Sequence, residues 1–215
     1  MLTELDPVEA RALGSLVEKS LTTREQYPLT FNSLMNACNQ KTSREPVMTL
    51  DTETLGRAVQ SLVEKGLMER VQAPGDRVPK FRHDIHKLLL SDDPKLIGTI
   101  TVLLLRGPQT PGEIKGRTDR LCEFTSTAEV EGLLQALSSR AEDPLVARLP
   151  RQAGQKEARY YHLFSGPLQA GTPDAVPTPA QPDRLAVLEK RVEALEAAVK
   201  ELVERQPKPS QGAPQ

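Results

Sequence analysis

Residues 29–81 constrain the fold more than any other stretch, because they predict a helix, a loop, a second helix and a β-hairpin in immediate succession. Each helix has a residue suited to cap its start: Thr30 for the first, and Asp51 or Thr52 for the second. Gly66 follows the second helix where a left-handed C-cap is expected. Apolar and polar residues then alternate around a Pro-Gly turn over residues 67–83. This succession is typical of a winged helix, a helix-turn-helix unit backed by a hairpin.

A further helix and a short strand complete this unit on its N-terminal side. Asp6, Pro7 and Glu9 have the arrangement of a capping box with proline at the first helical position. The segment Tyr27-Pro28-Leu29 predicts a short third strand, which the proline confines to a sheet edge. The first winged-helix domain is therefore expected over residues 3–84.

The same order of signals then starts again at Asp93. Capping boxes are predicted at Thr110 and Ser126, and strands at residues 145–149 and 158–164. The apolar positions of the two third helices correspond at one constant offset: Leu55, Val59 and Leu62 with Val130, Leu134 and Leu137. The sequence therefore predicts an internal duplication. The second winged-helix domain takes residues 92–166, and the apolar segment 85–91 is expected to be a packed connector.

The C-terminal part of the chain has a different composition. Residues 167–182 are rich in proline and predict a semi-rigid linker, whereas residues 206–215 are expected to be disordered. Between them, residues 183–205 carry a heptad pattern whose predicted coiled-coil seam consists of Leu185, Leu188, Val192, Leu195, Val199 and Leu202. Valine at one seam position with leucine at the other favours a parallel dimer. The alternative is an amphipathic helix that folds back onto its own domains.

Residues 39–47 (NQKTSREPV) resemble the bacterial YceH family. They follow the segment YPLT at residues 27–30 and precede a helix that ends in EKGL at residues 64–67. The segment RGPQTPGE at residues 106–113 resembles the same family. The resemblance covers roughly residues 3–166, and it implies a tandem winged-helix fold with a poorly characterised function.

Winged helices bind DNA by placing the third helix in the major groove and the hairpin, or wing, along phosphates. In the first domain the candidate contacts to double-stranded DNA are Lys41, Arg44, Thr52, Thr54, Arg57, Arg70, Arg77, Lys80 and Arg82. Asp51 and Glu53 lie at the end of the helix that would enter the groove, where carboxylates repel phosphate. The alternative for the wing cations is a solvated hairpin without a ligand.

The second domain has fewer features suited to DNA. Its third helix exposes Thr127, Glu129, Glu131 and Gln135 and has no cation before Arg140, so contacts to base edges are not expected. Its wing does carry cations: Arg148, Arg151, Lys156 and Arg159. These favour a phosphate contact by this wing, or a protein partner on the helix.

Composition narrows the functional classes. Lys and Arg total 28 and Asp and Glu 29, so a nucleic-acid surface has to be a local patch. Two cysteines form no disulfide framework, and the sequence lacks a signal peptide and a membrane-spanning apolar run, which predicts a cytoplasmic protein with no membrane partner. No catalytic motif is present, and two histidines, His83 and His86, are too few for a typical metal site.

The sequence thus predicts an α+β protein with two tandem winged-helix domains, a proline-rich linker and a C-terminal coiled-coil helix. The expected function is non-enzymatic DNA binding in transcriptional regulation, without a cofactor or metal and with self-association through the C-terminal helix. The competing hypothesis is a protein-interaction scaffold, in which tandem winged-helix domains hold other proteins as in the chromosome-segregation subunit ScpB. The balanced charge and the acidic third helices favour that alternative.

Overall fold

The computed structural model describes residues 3–151, 155 and 157–166, all within one compact unit, Met1–Ala170. This unit is an α+β fold with two small antiparallel sheets. The predicted linker, coiled coil and tail lie outside the described residues, together with every predicted seam position. Among the described residues, none of the helices combines the length and the apolar character that crossing a bilayer requires.

The first half of the fold follows the predicted order of elements. They are α1 (Pro7–Thr22), a short 3-10 helix (Arg24–Gln26), β1 (Leu29–Thr30), α2 (Phe31–Cys38), α3 (Thr52–Glu64), β2 (Met68–Val71) and β3 (Lys80–His83). The three strands form an antiparallel sheet in the order β1-β3-β2, with Leu29 opposite Phe81 and Arg82 opposite Glu69. The sheet edge predicted next to Pro28 is confirmed, because β1 has only one neighbouring strand.

A second set of elements repeats this order. After the short helix α4 (Ile85–Leu89) come α5 (Pro94–Arg106), α6 (Pro111–Thr118), α7 (Thr127–Ser138), β4 (Val146–Arg148) and β5 (Tyr160–His162). In the place of β1, Gln109 exchanges backbone hydrogen bonds of 2.9 and 2.8 Å with Tyr160 in β5. We call the elements from α1 to β3 the first copy and those from α5 to β5 the second copy.

Local capping signals account for most helix starts. The predicted capping boxes of α1 and α6 are both present, at Asp6 and Thr110, and the N-cap of α3 is Asp51. The box predicted at Ser126 is only half formed. Ser126 accepts from the backbone N–H of Glu129, but the Glu129 carboxylate binds Thr125 and Lys95 instead of completing the box.

The core lies between the first helices of the two copies, because α1 and α5 pack directly against each other. A Cβ atom at Gly14 of α1 would lie 3.1 Å from the side chain of Leu105 in α5, so glycine permits the close approach. The chain ends of the two copies also meet, since the backbone N–H of Leu5 donates to the carbonyl of Phe164 at 2.7 Å. The two copies therefore share one continuous hydrophobic core.

The connector between the copies is packed as predicted, with one exception. Ile85, Leu88 and Leu89 are buried on the inner side of α4. Leu90 instead has a left-handed backbone (φ +50°) and is 88% exposed. The reversal of the chain after α4 turns this residue away from the core.

Candidate nucleic-acid interface

Helix α3 has an apolar side that faces the core and a polar side that faces solvent. Its buried residues are Leu55, Ala58, Val59 and Leu62. Thr52 and Arg57 are exposed, and Thr54 is partly covered. Arg57 lies 4.0 Å from the exposed carboxylate of Glu53. Hydrogen bonds from Thr54 hold the pKa of Asp51 below its usual range, so the start of this helix carries negative charge.

The first hairpin, formed by β2, β3 and the turn between them, carries two cations that its own carboxylates neutralise. Arg82 pairs across the strands with Glu69, with an Nη2–Oε2 distance of 2.6 Å. Lys80 pairs with Asp76 of the turn at 3.0 Å. Two of the four hairpin cations predicted to contact DNA therefore already have a partner within the hairpin.

The other two cations of the first hairpin stand apart from these pairs. Arg70 and Arg77 are exposed, and neither forms an ion pair in the part of the chain that the structure describes. Arg70 lies opposite Phe81 in the register, so it shares a face with Phe81 and not with Lys80 and Arg82. The four cations consequently occupy both faces of the hairpin instead of one basic stripe.

The structure corrects the expectation for Arg44, which is not a surface residue. Its side chain is 0% exposed and binds the carboxylate of Glu18 through both terminal nitrogens, at 3.1 and 2.6 Å. Its Nε donates to the carbonyl of Ala37 near the end of α2, at 3.0 Å. Arg44 is therefore buried within the fold, whereas Lys41 in the same loop is exposed.

A second buried arginine, Arg11 of α1, also binds this loop. Its terminal nitrogens donate to the carbonyls of Cys38, at 3.1 Å, and Pro46, at 2.6 Å. Burial lowers the pKa of Arg11 to about 10. At the base of the loop, the side-chain amide of Asn39 exchanges two hydrogen bonds with the backbone of Leu50. Hydrogen bonds from the side chains of Arg11 and Asn39 thus hold the loop before α3 in place.

His83, at the end of β3, is half-buried and does not add positive charge to the hairpin. Its Nε2 lies 2.8 Å from the hydroxyl of Ser20, and its backbone N–H donates to the Tyr27 hydroxyl at 2.7 Å. Burial lowers the pKa of His83 to about 4, so the ring is neutral at pH 7. His86 pairs instead with Asp92. No group of three metal-ligating side chains occurs among the described residues.

In the second copy, α7 presents a more acidic surface than α3. Glu131 and Gln135 are exposed. Glu129 is bound by Lys95 of α5, and this contact lowers the pKa of Glu129 to about 2. Glu129 therefore carries its charge at any pH near neutrality, and it is anchored to α5 instead of projecting freely.

The second hairpin is partly basic and borders a cleft of about 230 Å³ between α6, α7 and β4. Arg148 and Arg151 are exposed, whereas Arg159 pairs with Glu113 of α6 at 2.9 Å. The predicted contact Lys156 lies outside the described residues. The residues lining the cleft are Pro111, Thr127, Glu131, Arg148, Arg151, Glu157, Ala158 and Tyr160. The lining of the cleft therefore contains side chains of both charges and the aromatic ring of Tyr160.

Comparison with known proteins supports the resemblance seen in the sequence. Residues 5–155 match the model of a protein family described as a protein of unknown function, DUF480. The chain belongs to this family. It is 42% identical over 209 residues to the UPF0502 protein YceH of Salmonella arizonae, covering 95% of each chain. It is also 44% identical over 217 residues to a UPF0502 protein of Vibrio parahaemolyticus, covering 94% of this chain and all of the relative.

A third relative shows the same extent of similarity. The UPF0502 protein of Aeromonas hydrophila is 41% identical over 210 residues, covering 94% of this chain and 95% of its own length. The expected membership of the YceH family is therefore confirmed. These family descriptions name no ligand or activity, so the functional argument depends on the geometry of this chain.

Proposed function

We propose that this member of the YceH family is a double-stranded DNA-binding protein built from two tandem winged-helix domains. In this proposal the first copy provides the main DNA contacts, through α3 and the first hairpin. The order of elements supports the assignment, because each copy has three helices followed by a hairpin and the first copy has the sheet order β1-β3-β2.

The observation that carries the proposal is the pair of exposed arginines, Arg70 and Arg77, on the hairpin whose strand β2 packs against α3. Arginine without a carboxylate partner is available to phosphate oxygens at no cost of breaking an internal pair. Thr52 and Arg57 are exposed on the adjacent helix, where side chains of a winged helix contact base edges. Lys41 adds one more exposed cation in the loop before α3.

A salt titration of duplex DNA binding tests the proposal. Fluorescence anisotropy of a labelled duplex is measured with the full chain at several salt concentrations. Replacing Arg70 and Arg77 together by glutamine is expected to weaken binding and to reduce the slope of log K against log salt by about two, because two fewer phosphates are neutralised. Absence of duplex binding by the wild-type chain even at low salt would contradict the proposal.

A matched variant separates this effect from a change in net charge. Replacing Arg24 and Arg120 by glutamine removes the same charge from exposed positions outside the proposed interface. This double variant is expected to retain the wild-type slope. If both double variants lower the slope equally, binding reflects overall charge and the first hairpin has no special role.

The cleft of the second copy favours a second candidate function, the scaffold that holds a protein partner. Arg148 and Glu131 line this cleft with opposite charges, and Tyr160 contributes an aromatic surface, a composition suited to a peptide segment. Exchanging these charges (Arg148→Glu with Glu131→Arg) is expected to reduce capture of such a partner from cell extract. The Arg70 and Arg77 variant should retain that capture, and equal losses in both variants would contradict a separate protein-binding cleft.

A further inference from the structure

The first hairpin places a carboxylate directly against each of its two paired cations, Arg82 and Lys80. Glu69 lies opposite Arg82 in the strand register and accepts from its Nε at 2.8 Å and its Nη2 at 2.6 Å. Both side chains are about half exposed, at 55% and 54%. The pair is therefore accessible from solvent and to any ligand that lies along this face of the hairpin.

The second pair has an additional structural role. Asp76 accepts from Lys80 at 3.0 Å, and its other carboxylate oxygen accepts from the backbone N–H of Ala73 at 3.1 Å. Asp76 therefore closes the turn of the hairpin as well as neutralising Lys80. Glu69 has no described backbone contact of this kind, so its carboxylate can be changed with less effect on the turn.

We propose that Glu69, together with Asp76, limits the affinity of the first hairpin for DNA by competing with phosphate for Arg82 and Lys80. This inference depends on the proposed function and assigns affinity-setting residues within that interface. A phosphate oxygen and the Glu69 carboxylate require the same guanidinium donors. A bound duplex must therefore displace the carboxylate from Arg82 or remain at a distance from it.

Counterion release gives this competition a measurable signature. When Arg82 contacts a phosphate, the adjacent Glu69 carboxylate offsets its charge, so the pair as a whole neutralises little of the DNA charge and releases few condensed cations. The wild-type pair therefore adds little to the salt dependence of binding. Without the carboxylate, the same arginine contributes a full phosphate contact, which raises the slope of log K against log salt by about 0.9.

The test compares Glu69→Gln with the wild-type chain, using anisotropy of a labelled DNA duplex across a range of salt concentrations. Glutamine keeps the size of the side chain and removes its charge. The variant is expected to bind about three- to tenfold more tightly at low salt, with a slope larger by about one. The matched control is Glu123→Gln, which removes one exposed carboxylate from the second copy and is expected to change affinity less than twofold.

A double variant tests whether the gain in DNA affinity depends on Arg82. In a chain that already carries Arg82→Gln, adding Glu69→Gln is expected to produce less than half of the gain in log affinity seen in the wild-type background. Asp76→Asn gives an independent measurement should Glu69→Gln fail to fold, as judged by circular dichroism. Its gain should likewise disappear in a Lys80→Gln background.

The outcomes separate this inference from the proposed function. If the wild-type chain binds duplex DNA and Glu69→Gln changes neither affinity nor slope, the inference is wrong and the proposed function stands. If Glu123→Gln produces the same gain as Glu69→Gln, net charge explains the effect and the inference is again wrong. If the wild-type chain does not bind a duplex at low salt, the proposed function itself fails and the inference fails with it.

Discussion

Where α3 of the first copy presents Arg57, the equivalent position of α7 in the second copy is Gly132. The same offset aligns Thr54 with Glu129, whose carboxylate is bound by Lys95. The apolar positions of the two helices correspond, so the buried sides have kept one pattern. The exposed sides differ, because α3 has an exposed arginine where α7 has glycine, and Glu129 of α7 is bound by Lys95. The two copies are therefore more alike in their core positions than on their outer surfaces.

The connections before the third helices differ as much as the helices themselves. In the first copy residues 39–51 form a long loop that is fastened by Arg11 and Arg44, whereas the second copy uses the shorter segment 119–126. A helix-turn-helix usually needs only about three or four residues at this place. The first copy therefore buries two cations to hold an extended loop beside α3, and the second copy does not.

The largest expected difference between the copies is in stability, when Arg44 of the first copy and Arg159 of the second are each replaced. Arg44→Met leaves the Glu18 carboxylate, which is 17% exposed, with a 3.8 Å contact to Lys19 in place of its two hydrogen bonds from Arg44, and should lower the free energy of unfolding by about 3 kcal/mol. Arg159→Met breaks the pair with Glu113 in the second copy, whose side chains are 35% and 30% exposed, and should cost about 1 kcal/mol. Chemical denaturation measures both. Lys41→Met is the control, and an Arg44 variant as stable as this control would contradict the buried role of Arg44.

The two copies should respond alike to acid, because each has a neutral histidine at the end of its last strand. Burial lowers the pKa of both His83 and His162 to about 4, against 6.5 for the free side chain. As pH falls below 6.5 the unfolded chain binds these protons first, so the free energy of unfolding should decrease by about 1.4 kcal/mol per pH unit for each histidine until about pH 4. Below that pH the contribution is fully lost.

Single variants assign this pH dependence to its source. His83→Gln and His162→Gln should each flatten the dependence of unfolding free energy between about pH 6.5 and pH 4 by a similar amount. His86→Gln, at an exposed ring, is the control. If only one of the His83 and His162 variants flattens the pH dependence of the unfolding free energy, the last strands of the two copies are not equivalent.

The smallest expected effects concern glycines within the third helices. A Cβ atom at Gly56 of α3 or at Gly132 of α7 would have no neighbour within 4 Å. Alanine at either position should therefore raise the free energy of unfolding by about 1 kcal/mol, through better helix propensity. Gly14→Ala is the matched contrast, because its added methyl group meets Leu105 at 3.1 Å. Thermal unfolding should rank Gly14→Ala below the other two, and equal gains at all three positions would contradict the tight contact of α1 with α5.

Local signals predicted much of this fold. The capping boxes at Asp6 and Thr110 and the positive φ of Gly66 depend on residues within one turn of chain, so the sequence contains all the information they need. The box at Ser126 failed for a different reason. Its glutamate is bound by Lys95, which is distant in sequence, and a local pattern cannot weigh that competition.

The candidate site was less predictable than the fold, because its electrostatics depend on pairs that form only after folding. Arg44 seemed suited to phosphate, yet its partner Glu18 lies on α1, far along the sequence. The burial of Arg11 was also missed. Small residues around it, Ala10, Ala12 and Gly14, were an available signal that α1 is packed on several sides. Alternation identified the hairpin cations but gave no information on which of them are neutralised.

The close packing of α1 on α5 has a consequence for the history of the gene. Copies that fold independently can be lost, reordered or joined to other sequences by recombination. A fragment encoding either copy of this protein alone would expose apolar residues of its first helix that face the other copy, such as Leu104 and Leu105 of α5, which lie against Gly14 of α1. Such a fragment would be prone to aggregation or degradation. We therefore expect the two copies to be inherited together.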